Sequence, residues 1–385
     1  MIYMDHNATT PLDKRVLDKM MPYFKDIYSN PSSVYRFAQE SKKAVEDARS
    51  LLAQLLGSSS GEIVFTSGGT ESDNTAIKGI ALMHRDKGNH IITSKIEHHA
   101  VLHACEFLGK QGFEVTYLDV DEYGVVDLEQ LKKAIKKETI LVSVMHANNE
   151  VGTIQPIKEI ADICKGKEVF FHTDAVQAVG KVKIDVKDLG VDLLALSAHK
   201  FYGPKGVGAL YVKKGVKFFP LLHGGGHEKG KRSGTENVAG IVGLGEAARL
   251  ALAEQQAEER RIVALRDKLQ AGVLERIPEI KINGHSTQRL ASTLNFCIRH
   301  IEGESILINL DFEGICASSG SACTSGSLEP SHVLLAMGIP AEVAHGSLRL
   351  SLGKQNTDSD VDKVLEVLPP IVEKLRKMSP FWQNK

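Results

Sequence analysis

The 385-residue chain has little of what usually betrays a function early. It has five cysteines, an odd number, and no Cys-x-x-Cys pair, so a disulfide framework and a zinc knuckle are both disfavoured and a reducing compartment fits better. Its 47 Lys and Arg nearly cancel 48 Asp and Glu, for a formal net charge of −1. That balance gives no global pull toward nucleic acid or an anionic membrane. No apolar run approaches the ~20 residues that span a bilayer. The opening run Met1-Ile2-Tyr3-Met4-Asp5-His6-Asn7 lacks the basic and apolar regions of a secretory signal, and a cytoplasmic protein is expected. No internal repeat or low-complexity segment stands out.

What is present is alternation. From about residue 60 to 212, short β-branched runs alternate with helical periodicity. The pattern predicts strands at 63–66, 91–93, 114–117, 140–145, 169–173, 193–197 and 208–211, with helices such as 99–110, 128–136 and 157–164 between them. Such alternation implies crossover connections and a mostly parallel, buried sheet. Ligands then sit beyond the carboxyl ends of the strands. A long helix is predicted from Val238 to about Arg276, with Ile241, Leu244, Ala248 and Leu252 at helical spacing. It leads into a smaller α/β unit with strands near 292–297 and 347–351 and a final helix near 360–377.

Three strand ends carry polar groups. Val64-Phe65-Thr66 runs into Ser67-Gly68-Gly69-Thr70, and a helix is expected to open at Ser72-Asp73-Asn74. Glycines admit a ligand close to the backbone, and a helix N-terminus offers unpaired N–H groups to an anion. A tight turn with a hydroxyl cap reads equally well from this stretch alone. Asp174 follows the strand at 169–173, and Ser197-Ala198-His199-Lys200 follows the strand at 193–197. An isolated Asp and Lys usually form an ion pair. Beside a phosphate cradle they match pyridoxal phosphate (PLP), which needs a lysine for its Schiff base, an acid for its ring nitrogen and donors for its phosphate. His98, after another strand end, is the stacking candidate.

One thiol stands apart. Cys323 lies in Ser318-Ser319-Gly320-Ser321-Ala322-Cys323-Thr324-Ser325-Gly326, a run of small residues with no helical or strand period. A cysteine on an exposed loop is a nucleophile candidate. Cys105, Cys164 and Cys297 fall in helix or strand patterns and read as core; Cys316 is ambiguous. His99 and His103 have zinc-pair spacing but no third ligand, so no metal is expected. His223-Gly224-Gly225-Gly226 imitates an esterase oxyanion loop, but no Gly-x-Ser-x-Gly turn follows a strand.

Together these residues resemble the NifS-type cysteine desulfurases, within the class-V, aspartate-aminotransferase-like PLP enzymes. The landmarks are Tyr3–Pro11, Thr66–Asn74, Asn148-Asn149-Glu150-Val151-Gly152, Ser197–Gly208, Arg232–Glu236, Ser318–Ser325 and Ser347–Ser351. The resemblance implies the PLP-dependent transferase fold: a large domain at 13–259 and a small domain at 1–12 and 260–385, the latter carrying the cysteine loop at about 316–330. It implies removal of sulfur from L-cysteine, giving alanine and a persulfide on Cys323. Lys200 would hold PLP and move the α-proton, Asp174 would pair with the ring nitrogen, and Gln177 would bond the ring hydroxyl. His98 would stack on the ring and assist proton transfer. Gly69, Thr70, Ser197 and His199 would hold the phosphate, and Thr235 would reach the phosphate of a partner subunit, making a homodimer. Asn149 would contact cofactor and substrate, Arg349 the substrate carboxylate, with Asn7 nearby. The sulfur acceptor would be a protein such as an iron–sulfur scaffold, and the only metal contact a transient one between Cys323 and an iron–sulfur cluster. If Cys323 plays no part, the chain is another PLP-dependent lyase or aminotransferase of the same fold.

Overall fold

A computed structural model describes residues 1–319, 329–380 and 382. Among these are twelve strands: β1 (Ile2–Tyr3), β2 (Ile63–Thr66), β3 (His90–Ser94), β4 (Glu114–Leu118), β5 (Thr139–Ser143), β6 (Phe170–Asp174), β7 (Leu193–Ser197), β8 (Gly208–Val212), β9 (Ile280–Asn283), β10 (Thr293–Ile298), β11 (Ile315–Cys316) and β12 (Ser347–Ser351). Seven of them form one sheet in the order β2-β8-β7-β6-β5-β3-β4. All its neighbours are parallel except at β8, which is antiparallel to both β2 and β7. Since β8 alone is reversed, β2 and β7 run in the same direction. Thr66 and Ser197 both pair with Gly208, so the two strands end side by side.

The strands read as continuous apolar runs because both faces of the sheet are covered. Alternate residues go to opposite sides. Ile92, Val142 and Leu194 join one buried cluster, while Ile91, Leu141 and Leu193 join another. Helix Arg36–Leu56 backs the first cluster through Leu52 and Leu56, and helix Gly69–Met83 backs the second through Ile77 and Ile80.

A smaller antiparallel sheet has the order β12-β10-β9, and β1 pairs in parallel with β11. Phe296, Leu348 and Val364 form its core together with Met4 from the N-terminal segment. Helix Val238–Arg276 serves both regions. Its Ile241, Leu244 and Ala248 lie in the first large cluster, and its Ile262, Leu265, Leu269 and Val273 lie in the core of the smaller sheet. The final helix, Asp358–Met378, opens on a capping box between Thr357 and Asp360.

Candidate active site

The exits of β2, β6 and β7 surround a cavity of about 310 Å³, continuous with an outer one of about 470 Å³ through the shared residues Gly69, Thr70, Ser197 and His199. The outer cavity has the donors that suit an anion, with Ser67, Thr70, Ser197, His199 and Lys205 in its lining. The helix after β2 begins at Gly69, three residues before the expected opening at Ser72. Ser72 is buried, and its hydroxyl bonds Thr66 Oγ1 at 2.8 Å instead of capping. The glycine pair makes the earlier start possible. Gly68 has φ +153°, and a Cβ on Gly69 would come within 2.5 Å of Val176. The amides of the first helical turn, Gly69 to Glu71, therefore point out of the helix end beside Ser197, His199 and Lys205. Glu71 also lines this end, and its carboxylate is engaged by the Ser67 N–H at 2.8 Å and by Arg232 at 2.9 Å.

The inner cavity holds Asp174, His98, Gln177, Lys200, Asn149 and Arg349. Asp174 is the last residue of β6, not the one after it, and its buried carboxylate accepts the Val176 N–H at 2.9 Å. Burial pushes its pKa up to about 6, against the pull of the Lys200 charge. Behind it, Asp73 is raised well above the usual carboxylate range by burial and by Asp174 and Glu97. Asp73 faces His172 Nε2 at 3.5 Å, and His172 Nδ1 meets Ser143 Oγ at 2.8 Å. Burial holds His172 down at about 3, so it is neutral.

His98 caps helix His99–Lys110 by accepting the Ala100 N–H on Nδ1 at 3.1 Å. Burial, then the neighbouring Lys200, hold its pKa down at about 4. A neutral ring whose Nδ1 accepts must carry its proton on Nε2. Lys200 Nζ donates to the carbonyls of Asn7 at 2.6 Å and Ala8 at 2.7 Å. Arg349, from β12, donates to Asn149 O at 2.9 Å and Asp5 at 2.8 Å. Its buried Nε has no partner among the described residues. Asn7 is buried and engaged on every side: its Nδ2 donates to Asn149 O at 3.1 Å and Thr293 Oγ1 at 2.8 Å, and its Oδ1 accepts from Lys181 at 3.1 Å.

The family profile for class-V aminotransferases matches residues 2–364. The chain belongs to that family. Enzymes of this family are PLP-dependent. A cysteine desulfurase IscS from Methanosarcina thermophila is 60% identical over 380 residues, 99% of this chain and 94% of that protein. A cysteine desulfurase IscS from Dictyoglomus turgidum is 55% identical over 383 residues, 100% of this chain and 97% of that one. Among solved structures, a NifS-like protein has a TM-score of 0.92 at 41% identity, covering 97% of this chain and 100% of that one. SspA in complex with cysteine has a TM-score of 0.82 at 38% identity, covering 91% and 99%.

Within this family member the expected site residues do not all converge. Gly69, Thr70, His98, Asn149, Asp174, Gln177, Ser197, His199, Lys200, Asn7 and Arg349 line the two cavities. Thr235 does not; it is exposed in a separate depression beside Tyr28 and Pro31. Cys323 lies outside the described residues. Cys105, Cys164 and Cys297 are buried, as their patterns predict, and burial pushes the first two up to about 12. The Gly-x-Ser-x-Gly run Gly57–Gly61 follows helix Arg36–Leu56, so it is no strand-end elbow. Sequence reasoning passed over Lys181, Lys205, Asp73, His172 and Asp5. Lys181 had a signal: it lies one helical turn after Gln177 in an otherwise small, apolar run.

Proposed function

We propose that the protein is a PLP-dependent cysteine desulfurase that moves sulfur from L-cysteine to Cys323 and releases L-alanine. The observation that carries the reading is the convergence of a lysine, a buried carboxylate and a helix N-terminus on one cavity. The residues fit PLP. The outward amides at Gly69 to Glu71, with Ser197 and His199, suit a phosphate. Asp174 accepts a single backbone N–H among the described residues. A buried carboxylate so placed calls for a cationic N–H, which a protonated ring nitrogen is. Gln177 and His98 border the space between, and Lys200 reaches it. The relatives named cysteine desulfurase and the cysteine complex of a 38% identical structure support L-cysteine as substrate.

PLP, when bound, supplies an electron sink for the substrate Cα. Asp174 keeps the proton on the ring nitrogen. Lys200 Nζ takes the proton from Cα, and His98 offers a neutral Nε2–H nearby. Arg349, through its unpartnered Nε, holds the substrate carboxylate. The Cys323 thiolate attacks the substrate sulfur. An S–S bond forms, the Cβ–S bond breaks, and its electron pair stays on Cβ, which takes a proton, while Lys200 returns to Cα the proton it took. L-Cysteine and a thiol thus become L-alanine and a persulfide.

The catalytic unit we propose is a cytoplasmic homodimer, each subunit divided at 13–259 and at 1–12 with 260–385, with Thr235 completing the partner's phosphate site. The persulfide would serve a sulfur-acceptor protein such as an iron–sulfur scaffold. Among the described residues no helix is long and apolar enough to cross a membrane. The deciding experiment is mass spectrometry after a brief reaction with L-cysteine without reductant. One extra sulfur on the peptide carrying Cys323, with alanine in solution, is the expected result. Added sulfur on Cys316 alone, or normal turnover by Cys323→Ala, would refute the reading.

A further inference from the structure

Lys181 takes no part in the reaction just described, yet its amine touches two residues of the site. The chain leaves β6 through Asp174 and Gln177 and then turns at Gly180, which has φ +76°. A Cβ there would lie 2.6 Å from Phe201 Cβ, so the turn needs glycine. The turn brings Lys181 back toward the cavity. Its Nζ is 2.8 Å from Gln177 Oε1 and 3.1 Å from Asn7 Oδ1.

In its ammonium form Lys181 has three N–H donors and no lone pair, so it admits only acceptors opposite it. Both amides must therefore turn their oxygens to Lys181 and their nitrogens away. Gln177 Nε2 then donates to Asn7 O at 2.9 Å, and Asn7 Nδ2 donates to Asn149 O and Thr293 Oγ1. A primary amide carries two N–H bonds, and Gln177 uses one of them on Asn7. Since Gln177 lines the cavity, what it offers there is a donor. Among the described residues no ion pair accounts for Lys181. The charged and titratable groups that act on it or on which it acts are Lys200, Arg349, His6 and His199, all basic. Burial, then Lys200 and Arg349, pull its pKa down to about 7. A lysine set among cations is costly to keep, and orienting the two amides is the compensation visible in its contacts.

We propose that Lys181 is a positioning residue that fixes the amide orientation of Gln177 and Asn7, so that Gln177 presents an N–H to the ring hydroxyl oxygen of the bound cofactor. The proposal rests on the PLP reading above. Its test compares wild type, Lys181→Met, Lys181→Arg, Gln177→Leu and the Lys181→Met/Gln177→Leu double variant. Each is stripped of cofactor, checked for folding by circular dichroism and titrated with PLP. The visible absorption of the resting, loaded protein is then followed across pH. Lys181→Met is expected to weaken PLP binding about tenfold, as for one lost hydrogen bond to a charged atom. It is also expected to move the pH midpoint of the absorption band in the same direction as Gln177→Leu. Lys181→Arg, which keeps a donor, should restore part of both. The double variant should bind no more weakly than Gln177→Leu alone, because the two residues act as one unit. An unchanged midpoint in Lys181→Met, or losses that multiply in the double variant, would overturn the proposal. If the Met variant does not fold, Lys181→Leu takes its place with the same expectations. Wild type that binds no PLP at all would instead refute the cofactor reading from which the proposal starts.

Discussion

Arg349 offers the sharpest separation between holding substrate and holding cofactor. It lies on β12, lines the inner cavity but not the outer one, and is 3% exposed. Two of its three nitrogens are spoken for: Nη1 by Asn149 O and Nη2 by Asp5. Nε is buried and unpartnered among the described residues, a costly state unless a ligand repairs it. On the proposed function, the substrate carboxylate is the group to do so.

Arg349→Lys keeps the charge, and a lysine amine can still reach Asp5 or Asn149 O. It removes the planar fork that lets one side chain serve both of those and a carboxylate. The loss is one charge-assisted hydrogen bond, about 1.5–3 kcal/mol. That corresponds to a fall of roughly 10- to 150-fold in kcat/KM for L-cysteine. PLP affinity should stay within about twofold, since no phosphate or ring contact is assigned to Arg349. Alanine formation at varied L-cysteine and PLP titration of the stripped protein give the two numbers. Unchanged kcat/KM would refute the carboxylate role. Equal loss of PLP affinity would mean that the arginine shapes the whole cavity instead.

Lys200→Ala is expected to bind PLP through the phosphate end while losing the cofactor that borohydride fixes to the chain; fixation on Lys205 in wild type would contradict this. Glu228 is buried, accepts two bonds from Arg49 at 2.8 and 2.7 Å and a third from the Phe65 N–H at 2.9 Å, so Glu228→Gln should cost about 3–5 kcal/mol, read as a lower urea midpoint. Burial pushes Glu97 up to about 8, so the folded state keeps a proton that the unfolded state loses above about 4.5. Stability of the stripped protein should therefore fall as pH rises from about 4.5 through 8, and Glu97→Gln should flatten that slope; a wild-type slope preserved in the variant would place its source elsewhere.

Strands of the large sheet were legible because all but the edge strand β4 are buried on both faces and end at a turn. The predicted run at 193–197 is β7, and helix Val238–Arg276 has the predicted limits. Errors gathered where backbone freedom, not pattern, decides. The Gly68-Gly69 pair starts its helix early because a glycine at 69 packs against Val176, a contact between strand exits that no local pattern records. Asp174, Lys200 and Gly69 could be found because each lies within three residues of the end of a predicted strand. Asp5 and His172 could not be ranked, and Lys181 had only its spacing from Gln177, because their meaning comes from the partners that the fold supplies: Arg349, Asp73, and Gln177 with Asn7.

Asn7 shows why the two sheets must be considered together. Its backbone N–H donates to Ser351 Oγ at 2.9 Å and its Nδ2 to Thr293 Oγ1, which ties it to β12 and β10 of the smaller sheet. Its carbonyl accepts from Lys200 and Gln177, which belong to the exits of β7 and β6. Three residues on, Thr10 donates its N–H and its hydroxyl to His199 O at 2.9 and 3.0 Å. One short segment therefore sets the position of the lysine against that of the arginine across the cavity. Reacting atoms must meet within a few tenths of an ångström, and a misplacement of about 1 Å can cost about 100-fold in rate. Two sheets joined only by the long helix would leave that tolerance to a single distant hinge. The bonds at Asn7 impose it at the site itself, where Asn7 is buried in the cavity wall and not on the surface.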